Sequence, residues 1–326
     1  MKVLVIRFSS IGDIVLTTPV VRCLKKQLPG VEVHYLTKFA YRQIIEYNPY
    51  IDQKFYLKDD LNAVIKELKK QQYDFILDLH TSFRSLRVRL QLKRRSNTFN
   101  KLNIEKWLYV NFKWNLLPDV HIVDRYLEPA RMLGVRNDGK GLDYFIPQKD
   151  IVTIDALPLT HLHGYIALVI GARHATKKLP LEKLRRLCNL LHFPIVLLGG
   201  PEDKQEGELI AKDDPIKIFN ACGRFSLNQS ASLVKQAKLV ISHDTGLMHI
   251  AAAFRKKIIS IWGNTVPEFG MYPYYGAAAN NTVIVQVNGL SCRPCSKIGF
   301  EKCPKGHFKC MLLIDESEVA KLAEDL

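Results

Sequence analysis

Two acids in this chain stand where a short apolar run gives way to a helix-like one, and that placement lets a carboxylate face a ligand. Asp13 ends Arg7-Phe8-Ser9-Ser10-Ile11-Gly12-Asp13, just after Val3-Leu4-Val5-Ile6. Asp244 opens Asp244-Thr245-Gly246-Leu247-Met248-His249, just after Leu239-Val240-Ile241-Ser242. Short β-branched runs read as buried parallel strands, and open α/β sheets bind ligands beyond the carboxyl ends of such strands. Around Asp244, Gly246 lets backbone approach a ligand, and a helix opening there aims unpaired N–H groups outward, which suits a phosphate or pyrophosphate. Asp244 and His249 can also hydrogen-bond a hydroxylated ligand. The plainer readings are a helix N-cap for either aspartate and a satisfied half-buried role for His249. On the residues alone, both readings stay open.

Charge and cysteines supply the other chemical signals. The 326 residues carry a formal charge of +15, concentrated in the first half. Between Asp78 and Glu105 there is no acid, while Arg84, Arg87, Arg89, Lys93, Arg94, Arg95 and Lys101 are all basic. Such a field draws a polyanion: a phosphorylated substrate, an anionic membrane or nucleic acid. The aromatic interleaving and motifs of nucleic-acid modules are missing, so nucleic acid is not expected. Cys23, Cys188 and Cys222 read as small buried hydrophobes. Cys292, Cys295, Cys303 and Cys310, with His307 nearby, leave three readings open: a structural zinc site, free thiols, or redox-sensitive pairing.

The elements that must position these residues alternate along the chain. Val3–Ile6, Val31–Leu36 and Phe75–Leu79 read as strands, and Val20–Gln27, Tyr41–Glu46 and Leu61–Lys70 as helices. Pro19 predicts a kink or a late helix start. After a polar, Pro-containing region near Pro147–His163 the rhythm restarts, with strands at Tyr165–Ile170, Ile195–Leu198, Leu239–Ser242 and Ile258–Trp262. This is the pattern of two doubly wound α/β domains, expected at 1–155 and 156–326, the second carrying the Cys-rich segment 292–310, with a cleft between them. No apolar run reaches the ~18 residues of a membrane span. No signal peptide precedes Arg7, and a cytoplasmic protein is expected.

The stretches "RFSSIGDIVLTTP", "DTGLMHIAAA" and "WGNTVPEFGMYPY" together resemble the ADP-heptose:lipopolysaccharide heptosyltransferases, glycosyltransferase family 9. The resemblance covers most of the chain and implies a GT-B fold of two Rossmann-like domains, the first holding the acceptor and the second the nucleotide sugar. It implies inverting transfer of a heptose from ADP-heptose to the lipopolysaccharide or lipooligosaccharide inner core, with no cofactor for catalysis. Two alternatives are a family member using another nucleotide sugar, and a non-catalytic protein that binds nucleotides or polyanions.

Residue by residue, the resemblance makes Asp13 the general base on the acceptor hydroxyl, with Gly12 tightening the turn and Ser9 and Ser10 at the acceptor or its loop. Lys177 is implied to neutralise the diphosphate leaving group. Lys178 is its neighbour, and Leu179-Pro180 stands where the family has an aromatic-Pro pair. Asp203, with Glu202 as the alternative, falls where an acid meets the ribose or base. Asp244, Thr245, Gly246, Leu247 and His249 match the donor-binding motif, and Met248 replaces a commonly small residue. Arg173 and His174 lie in the adjoining loop without matching a fixed position. An acceptor of phosphorylated lipid A–Kdo type, in the inner leaflet, makes His80, Ser82 and Arg84 acceptor-contact candidates. It also implies peripheral attachment to the anionic inner face of the inner membrane.

Overall fold

The structure is a computed structural model that describes residues 1–279 and 281–325; Asn280 and Leu326, the last residue of the expected second domain, lie outside it. The chain divides into two compact units. The first comprises Met1–Lys101, Val120–Phe145 and Gly276–Ala278, and the second Leu102–Asp119, Ile146–Tyr275 and the chain from Ala279 on.

In the first unit, β1 (Lys2–Ile6), β2 (Glu32–Lys38), β3 (Gln53–Leu57), β4 (Phe75–Asp78) and β5 (Arg95–Thr98) form one sheet in the order β3-β2-β1-β4-β5. Every pairing is parallel, so helices must cover both faces, and the central strands are apolar from Val3 to Ile6 and from Phe75 to Leu77. Leu4, Ile6, Leu36, Ile76 and Leu68 meet in the core with essentially no exposure. Pro19 acts as expected of a ring without an N–H: helix Ile11–Val15 stops, and a new helix, Thr18–Gln27, starts with the proline in its first turn. The order reverses between β1 and β4, which makes the carboxyl ends of those two strands the switch point where ligands bind.

In the second unit, β6 (Ile166–Val169), β7 (Ile195–Leu198), β8 (Ile218–Asn220), β9 (Leu239–His243), β10 (Lys257–Trp262) and β11 (Thr282–Gln286) form a parallel sheet in the order β11-β10-β9-β6-β7-β8. Leu168, Leu184, Leu187, Leu197, Ile241 and Met311 lie in its core. Here the order reverses between β6 and β9.

Residues 102–119 count with the second unit. Contacts of high sequence separation hold them there. The Lys113 ammonium donates to the carbonyls of Pro294 at 2.7 Å and Cys292 at 3.4 Å. Tyr109 packs edge-on to Phe269. Conversely, Gly276–Ala278 belongs to the first unit: the Ala277 N–H donates to the Gly139 carbonyl at 2.7 Å. Gly276 has φ +69°, and a Cβ there would lie 2.1 Å from the Gly139 oxygen. Only glycine fits that approach.

Candidate active site

The loop that leaves β1 holds Asp13 from three sides. Ser10 caps helix Ile11–Val15, and Asp13 stands three residues into it. Asp13 is thus not the N-cap but the partner that reaches back to it, accepting the Ser10 N–H at 3.0 Å and the Ser10 hydroxyl at 2.7 Å. Arg7, the first residue past β1, closes an ion pair with the other oxygen at 2.6 Å, and the Tyr126 hydroxyl donates to that oxygen at 3.4 Å. Burial works against the Arg7 charge, but the Asp13 carboxylate outweighs it and holds the guanidinium above its ordinary range. Arg7 also donates to the carbonyls of Ser9 and Leu79, which ties the loops after β1 and β4 together. Gly12 is buried in the same helical turn.

The loop after β4 brings His80 beside this site. Its ring meets Phe8 edge to face at 5.2 Å, and its buried Nδ1 has no hydrogen-bond partner among the described residues. Burial, helped by the Arg7 and Lys101 charges, pushes the imidazole down to about 4, so it is neutral at physiological pH. The turn is set by the fully buried Asp78, which accepts the N–H groups of His80 at 3.0 Å and Thr81 at 2.8 Å. Ser82 is used by the fold: it caps helix Phe83–Leu92, accepting the Ser85 N–H at 3.3 Å. Arg84 is exposed and lines, with Lys38, Lys58, Phe39 and Asp59, an open recess of about 570 Å³ at the carboxyl ends of β2 and β3. A second recess of about 380 Å³, around Lys2, Glu32 and Asp74, lies at the strand amino ends, where parallel sheets do not carry ligand sites.

In the second unit, Lys177 meets Asp244. The Lys177 ammonium pairs with one carboxylate oxygen of Asp244, and the Thr265 hydroxyl donates to the same oxygen at 2.9 Å. The residues Asp244 to Leu247 are partly exposed. Helix Gly246–Ala253 begins after Thr245 with no side chain capping it, so its first N–H groups are available to an anion. His249 is different: it is buried at 2% exposure with Met248, which places it inside the helix packing instead of at the exposed end.

Asp203 also lies inside. Its carboxylate accepts the Lys178 ammonium at 2.7 Å and the Gly200 N–H at 2.9 Å, and Lys178 bonds Glu206 at 2.7 Å as well. Burial opposes the Lys178 charge, yet these two acids raise its pKa overall. A Cβ at Gly171 would lie 2.2 Å from Asp203 Oδ2, so the loops after β6 and β7 close around this carboxylate. That geometry makes Asp203 a positioning group, and Glu202 is the exposed acid of the pair. Arg173 is exposed, and His174 stands 3.5 Å from Glu301.

Sequence reasoning passed over His243, Thr265 and Arg293. His243 ends β9 and is 1% exposed. Its Nε2 accepts the Leu179 N–H at 3.0 Å, fixing the Lys177–Leu179 turn, and burial pushes the ring down to about 3. A histidine closing a fully buried strand was the signal, since it must find a partner. Arg293 donates to the carbonyls of Val287 at 2.7 Å and Thr265 at 2.9 Å, and to Gln286 Oε1 at 2.8 Å. Phe300 and Thr176 exchange bonds, the Phe300 N–H donating to Thr176 Oγ1 at 2.8 Å and the Thr176 N–H to the Phe300 carbonyl at 3.1 Å. The Cys-rich segment thereby braces the neighbours of both Asp244 and Lys177.

Of the three readings left open for that segment, the structure does not support a zinc site. Among the described residues no group of three or more His, Cys, Asp or Glu side chains is arranged to hold a metal ion. Cys310 turns into the core beside Met311 while Cys292, Cys295 and Cys303 stay near the surface, and all seven cysteines are free thiols. Cys23, Cys188 and Cys222 are buried, as expected.

Known proteins are similar to this chain in sequence and in fold. The lipopolysaccharide heptosyltransferase 1 of Campylobacter coli is 26% identical across 100% of this chain and 99% of its own length. A glycosyltransferase family 9 structure from Veillonella parvula superposes with a TM-score of 0.79 at 22% identity, covering 99% of this chain and 96% of that one. The Escherichia coli heptosyltransferase WaaC, solved with ADP-2-deoxy-2-fluoro heptose, gives 0.71 at 21% identity with both chains fully covered. The fold is thus the GT-B fold of these enzymes. The family model for glycosyltransferase family 9 (heptosyltransferase) matches residues 61–303, and the chain belongs to that family.

Proposed function

We propose that this glycosyltransferase moves a heptose from ADP-heptose to the inner core of lipopolysaccharide or lipooligosaccharide, with inversion at the anomeric carbon and without a catalytic metal. The observation that carries the reading is the pairing of Lys177 with Asp244 beside an uncapped helix N-terminus at the switch point of the second sheet. A diphosphate bound there meets the Lys177 ammonium and a set of backbone N–H groups. The curated relatives are named for the heptose transfer itself, and WaaC was solved with an ADP-heptose analogue.

In this mechanism Asp13 takes the proton of the acceptor hydroxyl. Its oxygen attacks the anomeric carbon as the bond from that carbon to the diphosphate oxygen breaks, and ADP carries away the electron pair. Arg7 and Ser10 hold the carboxylate in place, and proton removal accompanies the attack. Lys177 and the N–H groups after Thr245 stabilise the charge growing on the diphosphate, where fixed donors act most strongly. His80, with its buried Nδ1, and the cations Arg84, Lys38 and Lys58 are assigned to the acidic acceptor, and Ser9, Ser10 and Gly12 to the shape of the base's loop. Glu202 takes the place of Asp203 as the acid nearest the nucleotide, and Asp203 fixes the loop. His249 supports the motif from within.

The acceptor is a membrane glycolipid in this reading, and no helix of the described residues is long and apolar enough to cross a membrane. We assign the chain to the cytoplasmic face of the inner membrane, held peripherally. The test is a thermal-shift panel of ADP-heptose, ADP, GDP and UDP. A ligand at a hundredfold over its dissociation constant adds about 2.7 kcal/mol. Stabilisation by the adenine ligands alone supports the donor, a stronger shift with UDP or GDP replaces it, and no shift with any overturns the reading. Product NMR, with and without chelator, tests inversion and metal independence.

A further inference from the structure

Helix Asn103–Phe112 buries none of its side chains, yet it and the residues after it are rich in large apolar groups. Ile104 is 73% exposed, Trp107 56%, Phe112 51%, Trp114 62% and Leu116 62%. The rings are neighbours: Trp107 and Phe112 meet at 5.3 Å and Phe112 and Trp114 at 5.5 Å between centroids. This is a continuous ridge, and contiguous apolar surface of this kind marks an interaction site. The stretch is also anchored, through Lys113 to the carbonyls of Pro294 and Cys292 and through Tyr109 and Lys106 to Phe269.

Charge around the ridge selects the occupant. The Lys297 ammonium lies 3.5 Å from Asn103 Oδ1, at the start of the helix. Lys305 is near enough to Lys113 to add, after burial, to the lowering of that ammonium's pKa. The segment Ser291–Cys310 holds Arg293, Lys297, Lys302, Lys305 and Lys309 against Glu301 alone. The helix itself carries Glu105 and Lys106, which balance. Tryptophan has an apolar body and a polar N–H and favours the headgroup level of a bilayer, and lysines near the surface are drawn to anionic lipid.

We propose that this ridge is a docking surface for an anionic lipid bilayer, with Trp107, Phe112 and Trp114 entering the headgroup level and Lys297 and Lys305 meeting lipid phosphates. The biological purpose rests on the membrane acceptor proposed above, but the test does not. The chain has three tryptophans, and Trp262 is 1% exposed, so changes in tryptophan emission report Trp107 and Trp114. Phosphatidylglycerol vesicles, at about 0.1 M salt where surface charge still acts, should shift the emission of the full chain to the blue and shield it from acrylamide. Phosphatidylcholine vesicles should do so far less.

W107S/W114S should lower co-sedimentation with the anionic vesicles by about tenfold or more, with circular dichroism and thermal midpoint unchanged. K297E/K305E should abolish the preference for anionic lipid. Unchanged emission with anionic vesicles, or a double tryptophan variant that binds like the parent chain, overturns the proposal. So does a dimer in light scattering that W107S/W114S dissolves, since the ridge would then face a second copy. Vesicle binding is read without nucleotide sugar or acceptor, so it fails or holds apart from transfer activity.

Discussion

Thr265 donates its hydroxyl, at 2.9 Å, to the same Asp244 oxygen that pairs with Lys177. In the proposed mechanism the carboxylate keeps this partner when the lysine meets a bound diphosphate. Thr265 is held in turn by Arg293 through its carbonyl. T265V should lower stability by about 1–3 kcal/mol, the cost of a lost bond to a charged group, and weaken ADP binding. T265S should restore both, which denaturant unfolding and calorimetry would show. Equal loss in T265S would mean that the methyl packing matters and the hydroxyl does not.

Lys177→Met removes the cation paired with Asp244. Turnover should fall by about 100-fold or more, as when a single donor to a developing anion is lost, while ADP affinity falls much less. Steady-state kinetics beside ADP titration separates the two. A loss confined to KM would make Lys177 a ground-state binder.

For Asp13→Asn the expected result is a fall in turnover of about 100- to 10,000-fold, the range of general-base catalysis, with ADP binding kept. Arg7 loses its counter-charge in this variant, so stability should fall too, by about 2 kcal/mol. Asp13→Asn with near-normal turnover would remove the base assignment.

Acid should loosen the second unit through His243. Its folded pKa is depressed to about 3, so the unfolded chain binds the proton more readily between about 3 and 6.5. Stability from this residue is complete above about 6.5 and is lost as pH falls, at up to about 1.4 kcal/mol per pH unit. His80, depressed to about 4, acts in the same direction. Denaturant midpoints from neutral pH to about 5 should slope less steeply in H243Q, whose amide oxygen can still accept the Leu179 N–H. An identical slope would deny His243 this part.

Thiol labelling should sort the cysteines. Burial pushes Cys188 up to about 12 and Cys23 and Cys310 to about 11, and raises Cys222 and Cys295 as well. Cys292 and Cys303 are only partly buried, and both should label before the buried thiols in the native protein, as mass spectrometry of a timed reaction would show.

Much of this was legible in the sequence because it was written in local pattern. Ile195–Leu198 appears as expected, and the strand ends that carry Asp13 and Asp244 lie where the apolar runs stop. β5 was hidden because Arg94 and Arg95 read only as charge, although Arg95–Thr98 is an edge strand. The burial of Asp203 was hidden because its partners, Lys178 and Gly200, are brought in by tertiary folding. The motif match gives a residue's place but not which way its side chain turns. The membership of residues 102–119 in the second unit depends on contacts about 180 residues away and has no local sign.

That last feature bears on how the protein is made. The helix Asn103–Phe112 leaves the ribosome with the first half of the chain, but Lys113 bonds carbonyls 179 and 181 residues further on. At about 5–20 residues per second, Lys113 waits roughly ten to forty seconds for the segment that anchors it. Until Pro294 emerges, the helix lacks both of the carbonyls that hold its end in the finished fold.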